Sequence, residues 1–242
     1  MMSKAMQCLS SGYRINNTAD DPAGLAISEK MRTQIRGLTV VSQNIQDGIS
    51  LVQTDEDALH ETQAIIHRMR ELSIQAVNGT LTDEERSLLD IEFQELKKET
   101  TRIGNDTQFN KQTLLNGDFA TNSLKIQAGA NAHQTIELFI NDIRSQALGI
   151  DTLSINSADL ANASISALDK SLQRRARLGA YQNRMEHTYN NLVQTADNLT
   201  AAESRIRDAD IAKGMMNLVT ADLLTQTIQR LILFICNRPT VF

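Results

Sequence analysis

Apolar residues recur at every seventh position between residues 22 and 78, and this repeat predicts one long helix. Pro22 suits the first turn of a helix, where its missing N–H costs nothing. A sustained seven-residue repeat keeps one apolar seam facing a partner helix. Ile35 and Ile49 fill part of a companion position beside this seam. The seam positions are Leu38, Ile45, Val52, Leu59 and Ile66.

A second helix with the same repeat is predicted over about residues 157–213, near the other end of the chain. The first helix would be roughly 80 Å long at 1.5 Å per residue, so it needs a second helix to cover its seam. Because the chain must double back between the two helices, we expect them to pack antiparallel as a rod-like bundle. The second seam consists of Leu178, Met185, Leu192, Leu199 and Ile206.

The middle of the chain predicts a shorter helix and a small β-hairpin. Thr82 and Glu85 have the spacing of a capping box, which predicts a helix over about residues 82–103. Its apolar stripe should lie on the first long helix. Between about residues 123 and 141, two runs of alternating apolar and polar residues flank a turn containing Gly and Asn, which predicts the hairpin. The expected fold class is therefore mainly α.

The charge balance of the chain argues against a nucleic-acid partner. It has 24 basic and 29 acidic residues, a net charge of −5, whereas nucleic-acid-binding domains are usually basic. The one local basic cluster is formed by Arg174, Arg175 and Arg177. On a heptad helix we expect such a cluster to be solvated or ion-paired.

The sequence offers no residues for catalysis or for binding a cofactor or metal. His60 and His67 lie two helical turns apart, about 10 Å, which is too far to share a metal without other ligands. The common zinc, redox, hydrolase and phosphate-loop motifs are missing from the sequence. The acidic pair Asp20-Asp21 and the acidic run 83–85 precede or open predicted helices, so we interpret them as caps.

Cysteine content and targeting signals change the functional interpretation of the sequence little. Cys8 and Cys236 lie near opposite ends of the chain, and spacing alone leaves open whether they pair. Residues 1–10 carry no long apolar run typical of a cleaved signal peptide. The apolar run of residues 231–235 is too short to span a bilayer, so we expect no membrane partner.

Six stretches of the chain resemble bacterial flagellins, and together they extend from about residue 9 to residue 218. In the N-terminal half they are "LSSGYRINNTADDPAGLAISEKMRTQIRGL" (9–38), "NIQDGISLVQTDEDAL" (44–59), "RMRELSIQAVNGT" (68–80) and "DTQFNKQTLLNG" (106–117). In the C-terminal half they are "RLGAYQNRMEHTYNNL" (177–192) and "ESRIRDADIAKGMMNL" (203–218).

The resemblance implies a structural subunit that polymerises into the extracellular flagellar filament for motility, through contacts that propagate without closing a ring. It implies export by the flagellar secretion apparatus without a cleaved signal peptide, and an export chaperone at the C-terminal end. It also implies recognition by a vertebrate Toll-like receptor, through positions matching Arg68, Leu72 and Glu92.

The two ends of the chain depart from the flagellin pattern. Flagellins begin earlier, with a further amphipathic helix, and their C-terminal tails differ from "LLTQTIQRLILFICNRPTVF". We therefore divide the chain into a partial N-terminal inner-core segment (1–19), a helical rod domain (20–213) and a divergent C-terminal inner-core helix and tail (214–242). Two alternatives remain open. One is a non-polymerising flagellin remnant that acts as a binding module, and the other is a hook–filament junction protein.

Overall fold

The computed structural model describes residues 2–155 and 160–236, and most of these residues are α-helical. The helices are α1 (Met2–Ser11), α2 (Pro22–Ala76), α3 (Asp83–Asp106), α4 (Asp118–Thr121), α5 (Ser145–Leu148), α6 (Leu160–Arg207) and α7 (Ile211–Cys236). The strands are β1 (Gln108–Phe109), β2 (Gln112–Thr113), β3 (Leu124–Gln127) and β4 (Thr135–Leu138). Two long helices, a third shorter one and a small antiparallel hairpin confirm the predicted fold class.

The helix starts have the caps that the sequence predicts. Asp21 Oδ1 accepts the Gly24 N–H at 2.9 Å in the first turn of α2. At α3, the Thr82 N–H donates to Glu85 Oε2 at 2.8 Å, and the Glu85 N–H donates back to Thr82 Oγ1 at 3.3 Å. These bonds satisfy backbone donors that have no partner inside the helix.

The chain divides into two compact units. The terminal unit contains the residues up to Thr39 and those from Gln194 onward, and the central unit is Val40–Val193. Both α2 and α6 contribute to each unit. This division differs from the three predicted segments, because the chain termini group with the outer ends of the two long helices.

Within each unit, α2 and α6 run antiparallel, as predicted. In the central unit, Gln46 Nε2 donates to the Tyr189 hydroxyl at 3.0 Å, and Glu56 pairs with Arg175 at 3.2 Å. Residues later in α2 thus contact residues earlier in α6. In the terminal unit, Glu29 pairs with Arg207 at 2.6 Å, and Glu203 pairs with Arg32 at 3.3 Å.

The seam positions line the contact between the helices, and a second buried column runs beside them on α2. Eight of the ten seam residues are buried, and Leu199 and Ile206 are half-buried. Ile35 and Ile49, the predicted companions, are only half-buried. The buried companion column instead consists of Val41, Gly48, Asp55, Thr62, Met69 and Ala76. Half of its members are Gly, Asp or Thr, so the hydrophobic pattern does not reveal it.

The β3–β4 hairpin packs against α2 in the central unit. Ile126 pairs with Ile136, and both are buried, while Lys125 and Glu137 face away and lie 3.6 Å apart. A Cβ at Gly48 would collide with the Ile126 side chain and lie 3.1 Å from Met185 Sδ. A residue without a side chain therefore lets α2 approach both the hairpin and α6.

The apolar stripe of α3 lies on α2, as predicted. Phe93 is buried in one cluster with α2 residues, and Leu89 and Leu96 pack against that cluster. The buried members of the cluster are Ile66, Met69, Leu72, Ala76, Phe93, Leu148, Ile150, Ile155 and Ala167.

The prediction of one helix over about residues 157–213 is wrong at the C-terminal end. It ends at Arg207, and α7 begins at Ile211. The Arg14 N–H donates to the Arg207 carbonyl at 2.7 Å, and the Ala209 N–H donates to the Gly12 carbonyl at 2.9 Å. These long-range bonds draw the backbone out of the helical path. The predicted start of this helix, residues 157–159, lies outside the described residues.

Candidate functional site

A junction in the terminal unit brings together residues from both ends of the chain. The Tyr13 ring lies between two guanidinium groups, with Arg207 Cζ 4.9 Å and Arg32 Cζ 5.6 Å from the ring centroid. Both distances fit cation–π contacts. Each arginine is also held by a carboxylate, Arg207 by Glu29 and Arg32 by Glu203. The hydrogen bond from Arg207 holds the pKa of Glu29 below its usual range.

The turn before α2 is fixed to α1 by Asp20. Its Oδ1 lies 2.6 Å from Lys4 Nζ, and its Oδ2 accepts the N–H groups of Asn16 and Asn17 at 3.2 Å each. The Lys4 hydrogen bond, followed by these backbone bonds, lowers the pKa of the Asp20 carboxyl. The prediction that Asp20 helps to cap α2 is wrong, because its carboxylate binds Lys4 and the N–H groups of Asn16 and Asn17, and Asp21 alone caps the helix. Tyr13, Asp20 and Arg207 all lie in the stretches that resemble flagellins. The structure shows that they set the path of the chain between α1, α2 and α7.

The helix α7 carries an uncovered apolar surface. In the terminal unit α1 packs against α7, and Leu9 Cδ2 would lie 3.2 Å from a Cβ at Gly214. However, α1 has 10 residues and α7 has 26, so α1 is too short to cover the whole of α7. We define the α7 apolar surface as eight side chains that are each more than half exposed: Met215, Met216, Val219, Leu223, Leu224, Ile228, Leu231 and Ile232. Eight exposed apolar side chains on one helix are more than scattered surface residues, and such a surface is typical of an interaction site.

The three receptor candidates are brought close together, but only two of them reach the surface. Arg68 Nε donates to Glu92 Oε1 at 2.7 Å, and Arg68 Nη1 donates to Glu71 at 3.3 Å. The side chains of Arg68 and Glu92 are 47% and 42% exposed. Leu72 is 0% exposed and belongs to the core cluster. Complete burial is incompatible with a receptor contact by Leu72, so the prediction for this residue is corrected.

The basic cluster on α6 is not uniformly solvated or ion-paired. Arg175 pairs with Glu56 and donates to Gln63 Oε1 at 3.2 Å. Arg174 is half-buried, and its Nη1 has no hydrogen-bond partner among the described residues. The spacing of the three arginines along the sequence does not distinguish these two neighbours.

The described residues contain no group of three or more His, Cys, Asp or Glu side chains placed to hold a metal ion. Cys8 forms no disulfide with any side chain that the structure describes, and its Sγ lies 3.9 Å from Asn16 Nδ2. The side chain of Cys236 lies outside the described residues, so the pairing of the two cysteines stays an open prediction. Among the described helices, none is both long and apolar enough to cross a membrane.

Comparison with known families gives two matches that together cover most of the chain. The bacterial flagellin N-terminal helical region matches residues 1–120, and the bacterial flagellin C-terminal helical region matches residues 158–235.

Similar proteins and a similar solved structure lead to the same family. The chain is 47% identical to a flagellin of Halalkalibacterium halodurans, over 95% of this chain and 86% of that protein. It is 43% identical to the flagellar filament 31.3 kDa core protein of Treponema maltophilum, over 92% of this chain and 84% of that protein. The crystal structure of Bacillus cereus flagellin matches with a TM-score of 0.54 and 29% identity, over 66% of this chain and 94% of that one. The chain therefore belongs to the bacterial flagellin family.

Proposed function

We propose that this chain is a structural subunit of the bacterial flagellar filament and that it polymerises with copies of itself. The observation that carries the proposal is the α7 apolar surface, which the chain itself leaves exposed to water. Burying apolar surface contributes roughly 25 cal/mol per Å². Packing this surface against neighbouring copies therefore supplies a driving force for assembly.

The junction around Tyr13 supports this role. It holds the start of α7 to the turn before α2 by two backbone hydrogen bonds, and two ion-paired arginines flank the Tyr13 ring. The direction of α7 within the terminal unit is thereby fixed. A filament needs every subunit to present its contact surface in the same way, since heterologous contacts propagate only if each one repeats.

Assembly of two matched variants tests the proposal. Leu224→Glu/Ile228→Glu places two charges on the α7 apolar surface. Gln226→Glu/Gln229→Glu places the same two charges on exposed polar positions of the same helix. Light scattering and pelleting should show that the first variant fails to polymerise and that the second polymerises like wild type. Equal assembly of both variants would contradict a role for the apolar surface.

The alternatives raised by the sequence are not favoured. The relatives with 47% and 43% identity are named flagellin and flagellar filament core protein. A putative flagellar hook-associated protein of Vibrio parahaemolyticus shares only 16% identity, so that likeness is one of fold alone. We also infer that the chain acts as a structural protein without enzymatic activity, in keeping with its family. We infer that the chain is located in the extracellular filament. Its export through the flagellar secretion apparatus is part of the same proposal.

We propose two further partners of the chain. The first is an export chaperone that covers the α7 apolar surface before assembly. In that case chaperone and filament growth compete for the same side chains. The Leu224→Glu/Ile228→Glu variant should lose chaperone binding in a pull-down, whereas Gln226→Glu/Gln229→Glu should retain it. If both variants still bound the chaperone, its binding site would lie outside the α7 apolar surface.

The second partner is a vertebrate Toll-like receptor that contacts Arg68 and Glu92. Both side chains are accessible and lie on adjacent helices, and an Arg side chain suits hot spots at interfaces. In receptor-bearing cells, Arg68→Ala should signal more weakly than wild type. Lys98→Ala, which also removes an exposed cation paired with a glutamate, serves as the control. Wild-type signalling by Arg68→Ala would contradict the assignment.

A further inference from the structure

Three cationic side chains share one face of α6 in the central unit. Lys170, Arg174 and Arg177 follow one another at helical spacings of four and three, which places them on one face. Together with Gln173 and Asn141 they line a concavity of about 270 Å³. The polar groups around it are therefore mostly hydrogen-bond donors with positive charge.

These three cations have no carboxylate partner in the described part of the chain. Within the described residues, none of them forms a salt bridge, in contrast to the neighbouring Arg175, which pairs with Glu56. The Lys170 ammonium donates only to a neutral acceptor, the Leu148 carbonyl, at 3.1 Å. The positive charge of the concavity is thus not neutralised by an ion pair.

The nearby carboxylate of Asp142 is already engaged by another arginine. Arg144 Nε lies 3.0 Å from Asp142 Oδ1, and Arg144 Nη2 lies 2.7 Å from Oδ2. Burial opposes ionisation of Asp142, but these hydrogen bonds hold the pKa of its carboxyl below its usual range. Asp142 therefore stays charged and paired with Arg144, and attracts Arg174 only from a distance.

Arg174 carries a buried donor without an acceptor. Its Nη1 is inaccessible to solvent and has no hydrogen-bond partner among the described residues. Burial lowers the pKa of its guanidinium, the direction expected when a cation loses its hydration. Leaving such a charged group unpaired costs free energy, so an anion bound nearby that compensates its charge would stabilise the folded chain.

We propose that the concavity lined by Lys170, Arg174 and Arg177 is a binding site for a small oxyanion, phosphate or sulfate. The planar fork of an arginine matches the oxygens of such anions, and a lysine adds a point charge. The concavity has room for the ion and several waters, since each water takes about 30 Å³. Because Arg174 Nη1 is inaccessible to solvent, an ion in the concavity binds through the exposed side chains of Lys170 and Arg177.

The test is isothermal titration of full-length protein with inorganic phosphate at constant ionic strength, using sodium chloride as the reference salt. Wild type should bind phosphate saturably at one site. Lys170→Gln/Arg177→Gln changes two exposed side chains and should weaken binding at least about tenfold, because charged hydrogen bonds contribute about 1.5–3 kcal/mol each. Lys30→Gln/Arg70→Gln removes the same net charge from exposed positions elsewhere and should bind like wild type.

Three results would overturn the proposal. The first is the absence of saturable phosphate binding by wild type. The second is an equal loss in both double variants, which would mean a diffuse counter-ion effect of net charge. The third is phosphate-independent self-association that requires Lys170 and Arg177, which would assign the site to a carboxylate of a second copy. Circular dichroism of each variant verifies that the helices are intact.

Discussion

Asp55 is the only fully buried carboxylate among the described residues. It lies in the buried companion column of α2, and neither of its carboxylate oxygens has a hydrogen-bond partner in the described part of the chain. Burial raises the pKa of Asp55 to about 7 from an ordinary value of 3.8. Desolvation acts alone here, because no neighbouring cation compensates for it.

This shift makes the stability of the folded chain depend on pH. Between pH 3.8 and about 7 the folded chain keeps a proton that the unfolded chain has lost. The stabilisation is therefore fully present below pH 3.8 and is lost as the pH rises to about 7. Each pH unit corresponds to about 1.4 kcal/mol, so about three units give roughly 4 kcal/mol.

Asp55→Asn removes this pH dependence, because asparagine resembles the protonated acid in shape and carries no charge. Near pH 4 the variant should be about as stable as wild type. At about pH 8 it should be more stable, by up to roughly 4 kcal/mol. Urea unfolding followed by circular dichroism across this range gives the difference in the free energy of unfolding at each pH.

Asp57→Asn is the matched control, since Asp57 lies on the same helix but is exposed. It should change the free energy of unfolding by no more than about 0.5 kcal/mol at any pH. The reasoning fails if Asp55→Asn destabilises the protein at about pH 8, or if its effect is the same at every pH. The first result would mean that Asp55 is ionised in the folded chain and has a buried partner, and the second that folding leaves its pKa unchanged.

Five further substitutions test the packing and the junction around Tyr13. Gly48→Ala should cost about 1–3 kcal/mol in urea unfolding, because the added methyl group meets the hairpin and α6. Gly179→Ala meets no described atom within 4 Å and should be neutral or stabilising by up to about 1 kcal/mol. Leu72→Ala should cost about 2–5 kcal/mol as a core truncation. Arg68→Ala, whose ion pair is exposed, should change stability by less than about 1 kcal/mol. Tyr13→Ala should increase hydrogen exchange in α1 and at the start of α7, since it removes the ring between the two guanidinium groups. Unchanged exchange would contradict the role of the junction.

The long helices could be predicted because their signal is local and repeats many times. The seam at Leu38, Ile45, Val52, Leu59 and Ile66 is buried as its spacing implies. The second buried column escaped the same reasoning, because Gly48, Asp55 and Thr62 are not apolar. Gly48 is buried because the hairpin approaches it closely, and a sequence pattern within one helix contains no information about that approach.

The break before α7 could not be predicted for a related reason. Residues 208–210 contain no proline or glycine, and the heptad pattern passes through Ile206 without interruption. The helix ends there because Gly12 and Arg14, far away in the sequence, form backbone hydrogen bonds with Ala209 and Arg207. The receptor candidates illustrate the same limit. The resemblance implied a receptor contact by Leu72, but only the structure reveals that Leu72 is buried in the core.

The most direct test of the account is sedimentation of the purified wild-type chain with short seeds cut from a flagellin filament. Negative-stain microscopy then examines the pellet. The account predicts that the chain pellets with the seeds and extends them as regular filaments, because assembly covers the α7 apolar surface. A folded chain that stays soluble and monomeric at all concentrations, with seeds and without them, would contradict its role as a filament subunit.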